Sequence, residues 1–409
     1  MSKSTKGVKR AVVYLGSKNL GKFDAFFPLL VTLSELVKGD ENIKLYTAMP
    51  LVDGEDALKL ASFHYRMVKR LSIYVGPIRL PFLESSINIA LFVLFILRLR
   101  IYGKEITILT SWIGKGKIEI LALNLISKLG KLVFVPPLQT PQTKAYGERF
   151  KNWEKLVDLG LKHSNSNTSS FQFEHGICWT DEERELNAYE FVKQVHPIGL
   201  PRLYPEWETF LLKETEGVPV VCEDESGETL VDGEFGVIIL TNPHFVWFPN
   251  GVDDYLAMLR EVIAFSNRRF PDGLIVLKPK YLMRQMFIEL LKEHKLISDK
   301  IVLADESLSV LAARASWAAT INESSGVLDF VCMGVPTLEY ARYDTTWLEV
   351  SASGSAWKEL PGMTYAEDSD EVGVFFDSLG SNSAHQYREQ LKCHLRHKRD
   401  LSILNFDVC

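Results

Sequence analysis

The chain has 409 residues, more than the ~250–300 at which a single core usually stops growing, so two domains are expected. With 46% hydrophobic and 24% charged residues it is neither disordered nor fibrous, and a formal net charge of −6 excludes any general attraction for nucleic acid. Five cysteines, odd in number and without a CxxC pair, suggest neither a disulfide framework nor a zinc knuckle and fit a reducing, cytoplasmic setting.

The chain starts with a polar, basic MSKSTKGVKR, and the apolar AVVYL that follows is too short for a signal-peptide core. VKRAVVYLG reads as a strand, SKNLGKFD as a glycine-bearing loop and AFFPLLVTLSELVKG as a helix. The same rhythm returns in NIKLYTAMP, in an apolar helix followed by EITILTSW, and in KIEILALNLISKLG followed by KLVFVPP, which predicts a parallel sheet. The apolar run at 87–97 is shorter than the ~20 residues a membrane span needs, so a buried or interface-facing helix is expected. Arg98 and Arg100 follow it, and such residues attract anionic lipid; peripheral contact with the inner face of a membrane is a further expectation.

Beyond Pro137 the pattern gives way to the irregular QTPQTKAYGERF and the polar KHSNSNTSS, then resumes at FEHGICWTDEEREL. VHPIGLPRLYPEWETFLL reads as a linker with its hinge at 199–207. A second series begins with the strand GVIILTNP, the helix DYLAMLREVIAFSNRRF, the strand GLIVLKPK and the helix YLMRQMFIELLKEHKL. It continues through KIVLAD, SLSVLAARA, WAATIN, SSGVLDFVCMG and VPTLEY. The expected fold class is α/β, with two facing Rossmann-like, doubly wound domains and a cleft between them where ligands bind. Expected boundaries are 1–200, 201–345 and a helical segment, 346–409, packing back on the first domain.

ATINESSGVLDFVCMGVPTLEYA, residues 319–341, carries the most chemistry. A buried strand ends at Ile321, Asn322 and Glu323 turn the chain, and Ser324, Ser325 and Gly326 open a helix. Two readings stand side by side: unpaired backbone N–H groups and the helix dipole hold a phosphate, or the serines merely cap the helix. This run, with KIVLADESLSVLAARASWAATI before it, resembles the nucleotide-sugar half of glycosyltransferases with the GT-B fold. Capsular polysaccharide and Kdo-transferase-like enzymes are the nearest in pattern. The resemblance covers about 237–343, and the first half matches only in its α/β rhythm.

The resemblance implies transfer of a sugar from a nucleotide-sugar, the co-substrate, to a hydroxyl acceptor in a surface glycan or lipid-linked saccharide, without a cofactor or metal. By position, Ser324 and Ser325 hold the donor phosphates with Gly326, Glu323 lies beside them or contacts the sugar, and Lys278 stands at a strand end. In LKPKYLMR, Lys280 takes the place of the family's histidine and meets phosphate as a point charge. In LTNPHFVWFP, Asn242 and His244 could hydrogen-bond the donor or the reacting centre, while Trp247 and Phe248 read either as stacking platforms or as core.

In the first half, the loop at 16–24 lacks GxGxxG and the P-loop pattern. The GT-B resemblance puts Gly16, Lys18 and Gly21, with Trp112 of a second glycine-bearing turn, on the acceptor side. Asp24 is there the candidate general base, or else a helix-terminal acid; His64, His163 and the Glu174–His175 pair are its rivals. His394 and His397 lack a third ligand and read as a solvated face. A sugar-nucleotide 2-epimerase and a non-catalytic glycan-binding or scaffold relative are the alternative functions.

Overall fold

The structure, a computed structural model, describes residues 9–16, 20–49, 62–77, 84–113, 116–136, 171–185, 190–224, 227–243, 248, 250–280, 283–351, 354–380 and 383–404. They form two compact units: up to residue 136 with 171–207 and 398–404 in the first, and 208–397 in the second. Lys18, His163, His244 and Trp247 lie outside the described residues, as does the side chain of Asp24.

The first unit contains β1 (Arg10–Leu15), α1 (Leu20–Leu36), β2 (Ile43–Ala48), α2 (Ser62–Leu71), β3 (Ile73–Val75), α3 (Glu84–Ile101), β4 (Glu105–Thr110), α4 (Lys117–Leu129) and β5 (Lys131–Phe134). β6 (Phe173–Cys178), α5 (Asp181–Glu185), β7 (Val192–Pro197) and a 3-10 turn (Pro201–Leu203) follow. The sheet order is β3-β2-β1-β4-β5-β6-β7, and each neighbouring pair is parallel. Parallel strands covered on both faces read as continuous apolar runs, and AVVYL of β1 is buried throughout for that reason.

α1 starts at Leu20, earlier than its apolar periodicity suggested, so Gly21 and Asp24 belong to the helix and not to the preceding loop. Pro28 sits inside it and has no N–H to give to the carbonyl of Asp24, four residues back. The segment 199–207 is packed rather than loose: Leu200, Leu203, Tyr204 and Trp207 are buried, and α6 (Pro205–Thr215) has already begun.

After α6 the second unit continues with a hairpin that the hydrophobic pattern did not show, β8 (Val220–Asp224) and β9 (Gly227–Val231). Then come β10 (Phe235–Leu240), α7 (Val252–Arg269), β11 (Leu274–Pro279), α8 (Arg284–Glu293), β12 (Ile301–Ala304), α9 (Leu308–Ala312), β13 (Ala315–Ile321), α10 (Val327–Met333) and β14 (Thr337–Tyr340). The rest is α11 (Thr345–Val350), β15 (Met363–Ala366), α12 (Ser369–Ser378) and α13 (Ala384–His394). Strand order is β15-β14-β13-β10-β11-β12-β8-β9; β8 joins β12 antiparallel, and β10 to β15 pair in parallel. α7 shows how the layers hold: Tyr255, Leu256, Met258, Leu259, Val262, Ile263 and Ser266 are buried at helical spacing. Burying each such apolar side chain contributes ~1.5–3 kcal/mol, and Asp253 and Arg269 sit at the helix ends that suit their charges.

Candidate functional site

The second sheet reverses direction at its centre. The chain runs from β10 to β11 and β12 on one side, then returns to place β13 on the other side of β10. In open α/β sheets such a reversal is where ligands bind, outside the strand C-termini. The strand ends at this edge are Thr241–Asn242, Lys278–Lys280, Asn322–Gly326 and Arg342.

Asn322 shapes the switch point. Its φ of 58° is left-handed, a conformation that Asn tolerates better than most residues. The backbone N–H donates to Tyr340 O at 2.8 Å, the carbonyl accepts from Thr320 Oγ1 at 2.9 Å, and Oδ1 accepts from Arg342 N–H at 3.2 Å. Nδ2 is buried, and no group among the described residues accepts from it. Thr241, buried at the end of β10, donates its hydroxyl to the Ile321 carbonyl and ties the two diverging strand ends together.

The Ser-Ser-Gly turn divides its labour. Ser324 is buried and its Oγ accepts the Gly326 N–H at 3.3 Å, so this hydroxyl closes the turn. Ser325 is exposed. A Cβ at Gly326 would stand 2.6 Å from Leu308 Cδ1, so glycine lets the turn lie against α9. α10 is only seven residues long, and Asp329 in its first turn is buried and accepts from Ser309 Oγ at 2.6 Å. That carboxylate already answers the positive end of the helix dipole, so attraction for a phosphate must come mainly from lysines.

Two lysines stand at the end of β11. Lys278 donates Nζ to the Asp305 carbonyl at 3.2 Å. Lys280 leaves much of its surface in solvent, yet desolvation lowers its ammonium pKa, and the charge of Glu323 partly restores it. Glu323 in turn accepts the Ala356 N–H at 3.2 Å. The Asp305 carboxylate is held by Arg284, which also reaches Glu223 at 2.8 Å.

Hydropathy gave no sign of a second layer behind this edge. Glu339 is fully buried in β14 and accepts from Tyr343 Oη at 2.5 Å and from the Ser355 hydroxyl. Ser355 Oγ accepts the Trp357 N–H at 3.0 Å, so residues 354–357 are clamped beneath the strand ends. A glutamate inside VPTLEYA was the available signal. One Asp-x-Asp run does occur, at 368–370, but Asp368 caps α12 by accepting the Glu371 N–H at 2.9 Å. Among the described residues no three His, Cys, Asp or Glu side chains gather as a metal site.

The first sheet has its own switch point, between β1 and β4. Gly16 follows β1, but the space its Cβ would take is filled by Met49, whose Sδ would be 2.0 Å away. Trp112 is buried in the core of this unit and supports the end of β4 from within. His64 is buried against Phe27, with ring centroids 4.6 Å apart, and Glu174 pairs with Lys193 at 2.9 Å on the surface.

Among solved structures, the UDP-GlcNAc 2-epimerase of Methanocaldococcus jannaschii is similar over 95% of this chain and 99% of its own, with a TM-score of 0.52 at 10% identity. The chain has the GT-B fold. A Listeria monocytogenes protein assigned as a UDP-N-acetylglucosamine 2-epimerase matches this GT-B chain over 97% of its length and 94% of its own, at TM-score 0.50 and 10% identity. The Medicago truncatula enzyme UGT71G1, complexed with UDP-glucose, covers 95% and 94% at TM-score 0.41 and 11% identity. At such identities the likeness is one of fold. No family profile matches the chain, and no curated protein sequence matches it.

Proposed function

We propose that this GT-B protein is a nucleotide-sugar enzyme, and that it transfers the sugar to a hydroxyl acceptor in a surface glycan or lipid-linked saccharide. The observation that carries this reading is the buried Asn322 Nδ2, which has no acceptor among the described residues, at a switch point flanked by Lys278 and Lys280. An unmatched buried donor costs ~1–3 kcal/mol, which a ligand oxygen would offset. The lysines would neutralise charge on the leaving phosphate, with Ser325 and Asn242 as further donors. Ser324, Glu323 and Gly326 would shape the turn beneath it. Gly16, Lys18, Gly21 and Trp112 on the acceptor side, and Asp24 or His244 as the acid/base group, belong to the same proposal. The resemblance to capsular polysaccharide and Kdo-transferase-like enzymes supports a glycan acceptor.

The second reading, a sugar-nucleotide 2-epimerase, is favoured by the activity of the M. jannaschii enzyme whose fold this chain shares. A thermal-shift screen against UDP, CMP, GDP, CDP, dTDP and their sugar conjugates tests both. One nucleotide should stabilise the protein by about 2.7 kcal/mol at a hundredfold excess over Kd. Lys278→Ala and Asn322→Gly should each weaken that response by roughly ten- to a hundredfold in Kd, as loss of a charge-assisted or buried hydrogen bond does. No response to any nucleotide would reject both enzymatic readings and leave the scaffold. NMR of the sugar conjugate alone then separates them: inversion at C2 without acceptor means epimerase, and an unchanged sugar means transferase.

A further inference from the structure

α3 and α4 pack side by side over one face of the first sheet, burying Ile89, Phe92, Ile96 and Leu99 from one and Ala122, Leu123 and Ile126 from the other. Each helix also carries a second apolar stripe, on its outer side. On α3 it comprises Leu91, Leu94 (56% exposed), Leu97 and Ile101 (74%), extended by Tyr102; on α4 it comprises Ile118, Leu121 (60%) and Leu125. The spacing of three and four residues puts each set on one helical face. The outward stripe of α3 runs over about 15 Å of helix. A contiguous apolar surface of this kind on a soluble-type domain marks an interaction site.

The rim of this surface is basic. Residues 84–104 and 117–129 hold Arg98, Arg100, Lys104, Lys117 and Lys128 against two carboxylates, Glu84 and Glu119, in a chain whose net charge is −6. α3 leads into β4 and α4 leads from β4 to β5, so each joins parallel strands and runs opposite to them, and Arg98, Arg100 and Lys128, in their last turns, share one end of the layer. Arg98 lies over the Tyr102 ring at 5.7 Å, an arrangement that keeps a cation beside an apolar body. Among the described residues no helix is long and apolar enough to cross a membrane.

We propose that the outer face of α3 and α4 docks on an anionic lipid bilayer. The aliphatic stripes enter the acyl boundary to the ~5–10 Å depth of an interfacial helix, while the arginines and lysines meet lipid phosphates. A second copy of the chain would bring an identical basic rim and no acidic complement, and like charges across an interface oppose association. The proposal is independent of the reaction performed at the second sheet.

The test is co-sedimentation of the full chain with phosphatidylcholine vesicles, with and without phosphatidylglycerol. Binding should require the anionic lipid and weaken with added salt. Leu94→Glu/Leu121→Glu and Arg98→Glu/Arg100→Glu should each lower the partition coefficient by at least about tenfold, since each basic residue contributes ~1 kcal/mol near such a surface. Melting temperature and nucleotide response should stay unchanged, because the altered side chains already face solvent and the nucleotide site lies in the other unit. No binding to anionic vesicles, or equal binding by the variants, overturns the proposal. So does a dimer that the leucine variant dissolves while vesicles remain unbound.

Discussion

Lys280 concentrates the electrostatics of the candidate site in one group. Desolvation lowers its pKa and Glu323 only partly offsets this, so its charge is lost at a lower pH than that of an ordinary lysine. The sign follows directly: the ammonium attracts a phosphate below that pKa, and attraction fades as pH rises through it. Nucleotide affinity measured by titration calorimetry should therefore fall on the alkaline side before bulk lysines near 10.4 deprotonate. Lys280→Arg should abolish that fall, since a guanidinium stays charged; an unchanged alkaline limb would remove Lys280 from the site. At this scale the sequence was half legible. LKPK and SSG stood out because unusual residues interrupt apolar strands, whereas Asn322 looked like an ordinary turn residue until its φ and its buried Nδ2, without an acceptor among the described residues, were seen. Ser324, read either as a phosphate ligand or as a cap, accepts the Gly326 N–H, a turn contact that the sequence did not show.

The strands β5, β6 and β7 carry a separate cluster of titratable groups in the first unit. His175 and His196 have ring centroids 5.7 Å apart, near Lys131 of β5, Glu174 of β6 and Asp400 of the chain's last described segment. Desolvation lowers both imidazole pKa values; repulsion from Lys131 adds to it for each, and His175 itself acts on His196. A folded-state pKa below the unfolded value of ~6.5 means that the unfolded chain binds protons first, so stability is intact above that pH and falls as pH drops through it. The Asp400 carboxyl, held low by its hydrogen bonds with Ser402, loses its own contribution only further into acid. Thermal melts from about pH 7.5 to about pH 5.5 should show an early acid loss that His175→Gln with His196→Gln reduces. An equal pH slope in the double variant would refute the coupling. Among elements, buried parallel strands and long amphipathic helices were the readable ones, because burial imposes their periodicity. The β8–β9 hairpin was not, since VVCED and GETLV form a short, partly charged edge with little buried area to pattern them.

For the whole molecule, a two-part α/β architecture followed from length and from the restart of the strand–helix rhythm; the C-terminal segment was expected to pack back on the first unit from residue 346, whereas residues up to 397 belong to the second unit and the return starts at 398. After α13 the chain returns to the first unit, where Leu401, Ile403 and Leu404 are buried. The Ile403 carbonyl accepts from Lys131 Nζ at 2.6 Å, and Arg399 pairs with Glu206 at 2.7 Å. Three buried aliphatic side chains are worth roughly 5 kcal/mol, comparable with the total stability of a domain. A fragment of residues 1–207 should therefore melt well below the first transition of the full chain, and joining residues 398–409 to it through a flexible linker should restore the difference; identical melting of both fragments would show the tail to be dispensable. The same path sets an order during synthesis. A ribosome extends the chain at ~5–20 residues per second, so the first unit waits many seconds for residues 398–404, which follow the whole of the second unit. The second unit has all of its strands beforehand. The half made earlier is thus the half that completes its core later, and it is exposed to chaperones and proteases for as long as the second unit takes to be made.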